Sequence, residues 1–176
     1  KIPYHIFPVI ALCCNIIVVS GNCFNYIRAG NLNLKLLFPY LIGSIPFGLI
    51  LTKIFLNKDI REIGSGNIGA TNVLRTGNKT IGYATLFFDI FKAVAPVLYV
   101  KFFFPELIYI SSLCVFLGHV FPIWLKFKGG KGVAAYVGIL FTINIYFGFI
   151  FIFTWLIIFA LTKYSSLSSL VASFSI

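Results

Sequence analysis

The sequence predicts an all-α, polytopic integral membrane helical bundle of about six spans, and three observations predict it. Apolar residues make up 60% of the 176-residue chain and charged residues only 10%, with a mean hydropathy of +1.01, more than a soluble core of this size can hide. The apolar residues fall in runs near the ~20 residues that a bilayer span requires. The positive charges, which give a net charge of +10, gather in short loops between those runs. In that setting the excess suits lipid headgroups of the bilayer and phosphorylated small molecules, and no nucleic acid is implied.

The elements follow in order. Residues 4–24 form the first apolar run. Lys1 and the small residues Val18-Val19-Ser20 before Gly21 fit a signal peptide as well as a span, so residues 1–35 stand as an N-terminal extra span or signal-like segment ahead of a membrane domain over 36–176. Runs 36–56, 80–100 and 107–125 supply further spans. Run 133–161 exceeds the length of one span and carries Asn144 and Gly148 near its middle; it reads as one tilted helix or as two short helices joined by a turn. Lys163-Tyr164-Ser165-Ser166 breaks the pattern before a last apolar segment, 167–176. The absence of methionine reads as a chain that is not a whole translation product, and the end within an apolar segment reads as C-terminal truncation.

Lys58, Arg61, Arg75 and Lys79 lie in loop 57–79, and Lys126, Lys128 and Lys131 in loop 126–132. Both loops should therefore be cytoplasmic, and the two spans between them give the same parity. Arg28 and Lys35 fall on the far side, against the trend. Cys13, Cys14, Cys23 and Cys114 sit in apolar runs without CxxC spacing, which indicates neither zinc nor a disulfide framework. Asp59, Glu62, Asp89 and Glu106 form no ligand cluster with His5 or His119, so no metal is expected.

Two loops carry the chemistry. In Gly64-Ser65-Gly66-Asn67-Ile68-Gly69-Ala70-Thr71-Asn72-Val73-Leu74-Arg75, Gly64, Gly66 and Gly69 allow φ > 0 conformations whose N–H groups converge on an anion. Ser65, Thr71 and Asn72 add side-chain donors, and Arg75 adds a planar fork suited to phosphate. The bland alternative is a hydrated linker of ordinary loop residues. The second loop, Phe127-Lys128-Gly129-Gly130-Lys131-Gly132-Val133, places glycines and Lys131 at the start of an apolar helical run, where free N–H groups and the helix dipole favour negative charge. It lacks the GxxxxGK[ST] spacing of a P-loop, and such a loop also serves as a membrane anchor.

Together with Gly43-Ser44-Ile45-Pro46-Phe47-Gly48, Asp89 with Lys92 and Pro96, and Gly118-His119 with Pro122, these motifs resemble the bacterial acyl phosphate:glycerol-3-phosphate acyltransferases, the PlsY family, over roughly residues 37–172. The resemblance implies a bacterial inner-membrane enzyme with seven spans in the family core and an active site facing the cytoplasm. It implies transfer of a fatty acyl group from acyl phosphate to the sn-1 hydroxyl of glycerol-3-phosphate, giving lysophosphatidic acid and phosphate for phospholipid biosynthesis. No cofactor is implied, and the soluble enzyme that makes acyl phosphate becomes a partner. Ser65, Arg75 and Lys131 are implied site residues, with the Gly129 to Gly132 loop at the phosphate, and Asn67 is counted among the phosphate-binding candidates of the first loop.

The family's later His and Asn motif lies beyond this sequence, and Ala93 stands where a glycine is expected after Lys92. His119 reads either as a general base or as a helix-packing histidine. Asp89 and Lys92 leave a small ion or solute transporter as a rival, and the basic loops alone leave a non-catalytic headgroup binder. No H-x4-D pattern follows either histidine, which argues against the soluble-type acyl-CoA acyltransferases.

Overall fold

Pro46 breaks the first described apolar run. A computed structural model describes residues 36–176; run 4–24, the signal-like reading of residues 1–35, His5, Arg28, Lys35, Cys13, Cys14 and Cys23 lie outside the described residues. Run 36–56 folds as two helices, α1 (Leu37–Gly43) and α2 (Phe47–Leu56), because proline lacks an N–H and disfavours helical backbone in the residue before it. The Ser44 hydroxyl turns back onto the Leu41 carbonyl at 2.7 Å. Asn57, in the left-handed region at φ 50°, ends α2.

Loop 57–79 has structure of its own. Asp59 accepts from the Arg61 N–H at 3.0 Å and caps a 3-10 turn, Ile60–Glu62. A short helix, α3 (Ala70–Val73), and a turn at Leu74–Thr76 follow. Asn78 then caps α4 (Lys79–Phe103) by accepting from the Ile81 N–H at 3.0 Å.

Helix α4 is the central post and packs against α1, α2, α3, α5 (Ile108–Val120) and α6 (Val133–Ile143). Its Ala93 and Val97 join Val115, Phe116, Tyr136, Ile139 and Phe151 in the main core. Ala93, which departs from the expected glycine, is fully buried; a methyl on Gly138 of α6 would lie 3.4 Å from its Cβ. Small residues therefore meet where α4 and α6 cross.

The long run 133–161 is two helices, α6 and α7 (Ile145–Thr162). Asn144 is extended at φ −151° and caps α7 by accepting from the Tyr146 N–H at 2.9 Å. Lys101, at the end of α4, donates to the Thr142 carbonyl at 2.6 Å, so a cation covers the carbonyl end of α6. Helix α8 (Ser165–Phe174) folds back on α7, with Trp155 Nε1 donating to Ser169 Oγ at 3.1 Å.

Among the described residues, three stretches are long and apolar enough to cross a membrane: Leu37–Leu56, Pro105–Leu125 and Ile145–Thr162. Helix α4 has the length, at 25 residues, but buries Asp89 and Lys92. Helices α6 and α8 are apolar but shorter.

Candidate active site

The first loop is built around one amide. Asn72 is buried, and its Nδ2 donates to the carbonyls of Ile60, Ile63 and Asn67 at 3.1, 2.8 and 2.8 Å, while its Oδ1 accepts from the Ser65 N–H at 2.9 Å. Expected at the ligand, Asn72 instead spends its hydrogen-bonding capacity on the loop. Asn67 likewise accepts from the Gly69 N–H at 2.9 Å. Gly64 and Gly66 adopt φ of 56° and 69°, as the sequence suggested. Gly69 does not; it is extended at φ −80° and precedes α3.

These bonds narrow the expected nest. The N–H groups of Ser65, Gly66 and Gly69 are used internally, Gly66 by the Ile63 carbonyl at 3.0 Å. Left facing outward are side chains: Ser65, Thr71 and Arg75 are exposed, and none has a protein hydrogen-bond partner. Arg75 folds back over the loop, for a methyl on Gly64 would meet its Cδ at 3.0 Å and its Nη1 at 3.3 Å.

The second loop is seated on the end of α5. Gly129 and Gly130 donate their N–H groups to the carbonyls of Val120 and His119 at 3.0 and 3.1 Å. A methyl on Gly129 would strike the His119 carbonyl, and one on Gly130 the His119 imidazole. These two glycines therefore serve close approach, and their amides do not face a ligand. Gly132 (φ 83°) precedes α6 without a side-chain cap, and the N–H groups of Lys131 and Gly132 take no protein acceptor. The donors of this loop lie at its end, where the dipole of α6 favours an anion.

The loops meet. Leu125, from the turn Ile123–Leu125 before the second loop, packs on the cluster of Leu49, Ile60, Ile68, Val73 and Ile81 beneath the first. Lys131 is half-buried, and burial first, then the nearby Arg75 charge, push its pKa below the ordinary lysine value. The two loops thus bring one cation each near enough for their like charges to repel, a repulsion that a bound phosphate relieves.

His119 stands behind the second loop. It is 3% exposed, walled by Gly130, with Nδ1 3.8 Å from Asp89 Oδ1. As a general base it has no open approach to a substrate hydroxyl. Asp89 pairs with Lys92 at 2.8 Å, both buried, which is the arrangement of charges neutralised against a neighbouring helix. Among the described residues, no group of three or more His, Cys, Asp or Glu is placed to hold a metal.

The Glycerol-3-phosphate acyltransferase family model matches residues 34–176. The chain belongs to this family. A glycerol-3-phosphate acyltransferase of Pelagibacter ubique (strain HTCC1062) is 75% identical over 134 residues, covering 76% of this chain and 70% of that protein. One from Bartonella henselae is 52% identical over 141 residues, covering 77% and 67%. Among solved structures, PlsY (YgiH), an integral membrane glycerol 3-phosphate acyltransferase, aligns in its glycerol 3-phosphate form with a TM-score of 0.75 and 38% identity, over 81% of this chain and 72% of that one. Its lysphosphatidic acid form gives 0.73 and 37%, over 81% and 71%.

Within this acyltransferase fold, three supports escape a reading of the sequence. Trp124 Nε1 donates to Ser44 Oγ at 2.8 Å, the Tyr40 hydroxyl donates to the Phe121 carbonyl at 2.7 Å, and Lys92 Nζ donates to the Ile45 carbonyl at 2.6 Å. All three tie α1 or its break from α2 to α4 or to the segment that follows α5. The only local hints were Pro46, which marks the break, and Trp124 beside a basic loop, a usual interfacial position.

Proposed function

We propose that the chain transfers a fatty acyl group from acyl phosphate to the sn-1 hydroxyl of glycerol-3-phosphate, releasing lysophosphatidic acid and inorganic phosphate at the cytoplasmic face of the bacterial inner membrane. The observation that carries this reading is the pairing of Arg75 with half-buried Lys131 across two loops, beside the unpartnered Ser65 and Thr71 hydroxyls. Both substrates bear phosphate, and the donor's chain belongs in the apolar bundle while its head belongs at a cationic edge.

Phosphate is already a good leaving group, so positioning and charge stabilisation supply most of what the reaction needs. Arg75 and Lys131 neutralise substrate phosphate, and Ser65 and Thr71 donate to its oxygens. The free N–H groups at Lys131 and Gly132 stabilise the oxyanion that forms when the glycerol hydroxyl attacks the acyl carbonyl carbon. The new ester C–O bond forms as the bond from that carbon to the phosphate oxygen breaks. Phosphate departs with the electron pair and takes up the hydroxyl proton, which needs no buried base. The soluble enzyme that makes acyl phosphate would deliver it at this face.

The test is product formation by the full-length protein in lipid, with acyl phosphate or acyl-CoA as donor. Acyl phosphate should support lysophosphatidic acid synthesis and acyl-CoA little or none; a preference for acyl-CoA overturns the donor. Arg75→Ala and Lys131→Ala should each lower kcat/KM by about a hundredfold with membrane insertion unchanged, and wild-type rates in both would return the loops to linkers.

A further inference from the structure

Phosphate binding leaves a buried charged centre unexplained. Asp89, Lys92 and His119 are 2%, 2% and 3% exposed, and charge so deep in an apolar bundle is costly unless paired. Asp89 Oδ1 is 2.8 Å from Lys92 Nζ, and Lys92 donates to the Ile45 carbonyl at 2.6 Å, at the break between α1 and α2. The same carboxylate oxygen is 3.8 Å from His119 Nδ1, a buried nitrogen with no hydrogen-bond partner. On its other side the His119 ring abuts Gly130, and the His119 carbonyl accepts the Gly130 N–H at 3.1 Å.

One carboxylate therefore stands between two backbone irregularities that border the site. We propose that Asp89 is a positioning residue: through its ion pair with Lys92 it fixes the α1–α2 break, and by its 3.8 Å contact with the His119 ring, made without a hydrogen bond, it backs the Gly129–Gly130 backbone that presents Lys131. Buried ion pairs can often be replaced by apolar side chains of similar volume with little loss of stability. What they would not do is hold a helix break and a loop in register from one point. A phosphate loop displaced by about 1 Å forfeits much of the rate, up to about a hundredfold.

The inference rests on the reading of Lys131 and Arg75 as phosphate-holding residues, and the experiment separates the two. Full-length protein in lipid is assayed for KM and kcat with glycerol-3-phosphate, and for thermal stability, as Asp89→Asn, as Asp89→Leu with Lys92→Met, and as Lys131→Ala. Asp89→Asn should unfold at lower temperature, because Lys92 is left uncompensated, and should raise KM about tenfold. The double variant should regain thermal stability while KM stays raised; recovery of both together overturns the positioning role. If Lys131→Ala is impaired while the double variant is kinetically wild type, this inference fails alone; wild-type kinetics in Lys131→Ala sinks the phosphate reading itself. His119→Asn, which keeps a nitrogen near the Nδ1 position, and His119→Leu serve if the double variant does not fold. KM should rise in Leu and less in Asn, and equal values in the two overturn the proposal.

Discussion

Loop 64–75 and loop 129–132 contribute to one cationic edge but are held in opposite ways. The first is clamped by its own stretch of chain, where the Asn72 amide gathers the Asn67 carbonyl and the Ser65 N–H of that loop and the Ile60 and Ile63 carbonyls just before it. The second has no internal clamp; Gly129 and Gly130 lean their backbone on α5, and the His119 ring occupies the space a side chain would need. A loop with its own scaffold keeps its shape when the helices shift. A loop that borrows one takes its register from the helix it leans on.

Breaking the internal clamp should have the largest effect. Asn72→Ala leaves the Asn67 carbonyl and the Ser65 N–H without a protein partner and the Ile60 and Ile63 carbonyls with one backbone partner each. At about 1–3 kcal/mol for each unsatisfied group, thermal denaturation should show a loss of about 3 kcal/mol, together with loss of activity. Asn72→Asp sharpens the point: it keeps the acceptor for the Ser65 N–H but turns a carboxylate toward three carbonyls, and it should be nearly as damaging. A mild phenotype in both would mean that the surrounding helices hold the first loop.

Gly130→Ala attacks the borrowed scaffold. Overpacking against His119 should cost about 1–3 kcal/mol and a larger share of activity than of stability, since the displaced segment carries Lys131. Gly77→Ala, where φ is 85° but no atom lies within 4 Å of the added methyl, supplies the contrast of backbone strain without a collision. It should lose stability and keep its rate per folded molecule. Equal activity losses in the two would remove the case for contact with α5.

A subtler effect concerns charge. Burial, then Arg75, lowers the Lys131 pKa, so its positive charge is lost earlier as pH rises than the charge of an ordinary lysine, near 10.4. The alkaline limb of kcat/KM should therefore begin below that value. Lys131→Arg should push the limb beyond the accessible range, because a guanidinium stays charged; an unchanged limb assigns the titration elsewhere.

The smallest effect belongs to the outer rim of the first loop. The Arg61 side chain, donating to Asp59 at 2.9 and 2.6 Å, holds that carboxyl well below the usual carboxylate range. Its stabilisation is present above about pH 4 and is lost as pH falls through the depressed value. Side-chain exposures of 18% for Asp59 and 48% for Arg61 keep it small. Asp59→Asn should cost about 1 kcal/mol or less at neutral pH, and the gap from wild type should close in acid.

The same contrast explains what was legible in the sequence. Helical runs, the Asn144 turn as one of two readings, and the glycine conformations at 64 and 66 rest on short-range chemistry, and the composition of each segment reveals them. The α1–α2 break was missed: run 36–56 was read as one span because a hydropathy window runs straight through Pro46, the residue that marks it. Asn72 and Gly69 were misjudged because donors and flexible residues look alike until the loop is closed, and only closure reveals which N–H groups remain. His119 and Lys92 were the hardest: the bond from Lys92 to Ile45 joins positions 47 apart, and no local pattern encodes such a distance.

Helix α6 has 11 residues, about 16 Å at the helical rise, against a hydrocarbon layer of about 30 Å. Such a helix reaches roughly half-way across, so the polar loop before Val133 and the Asn144 turn after Ile143 cannot both rest at opposite water boundaries. Either the lipid thins around this part of the protein or water descends to meet the lysine. Turnover should then depend on bilayer thickness, and vesicles of shorter-chain phospholipid should raise it by lowering the hydrophobic mismatch.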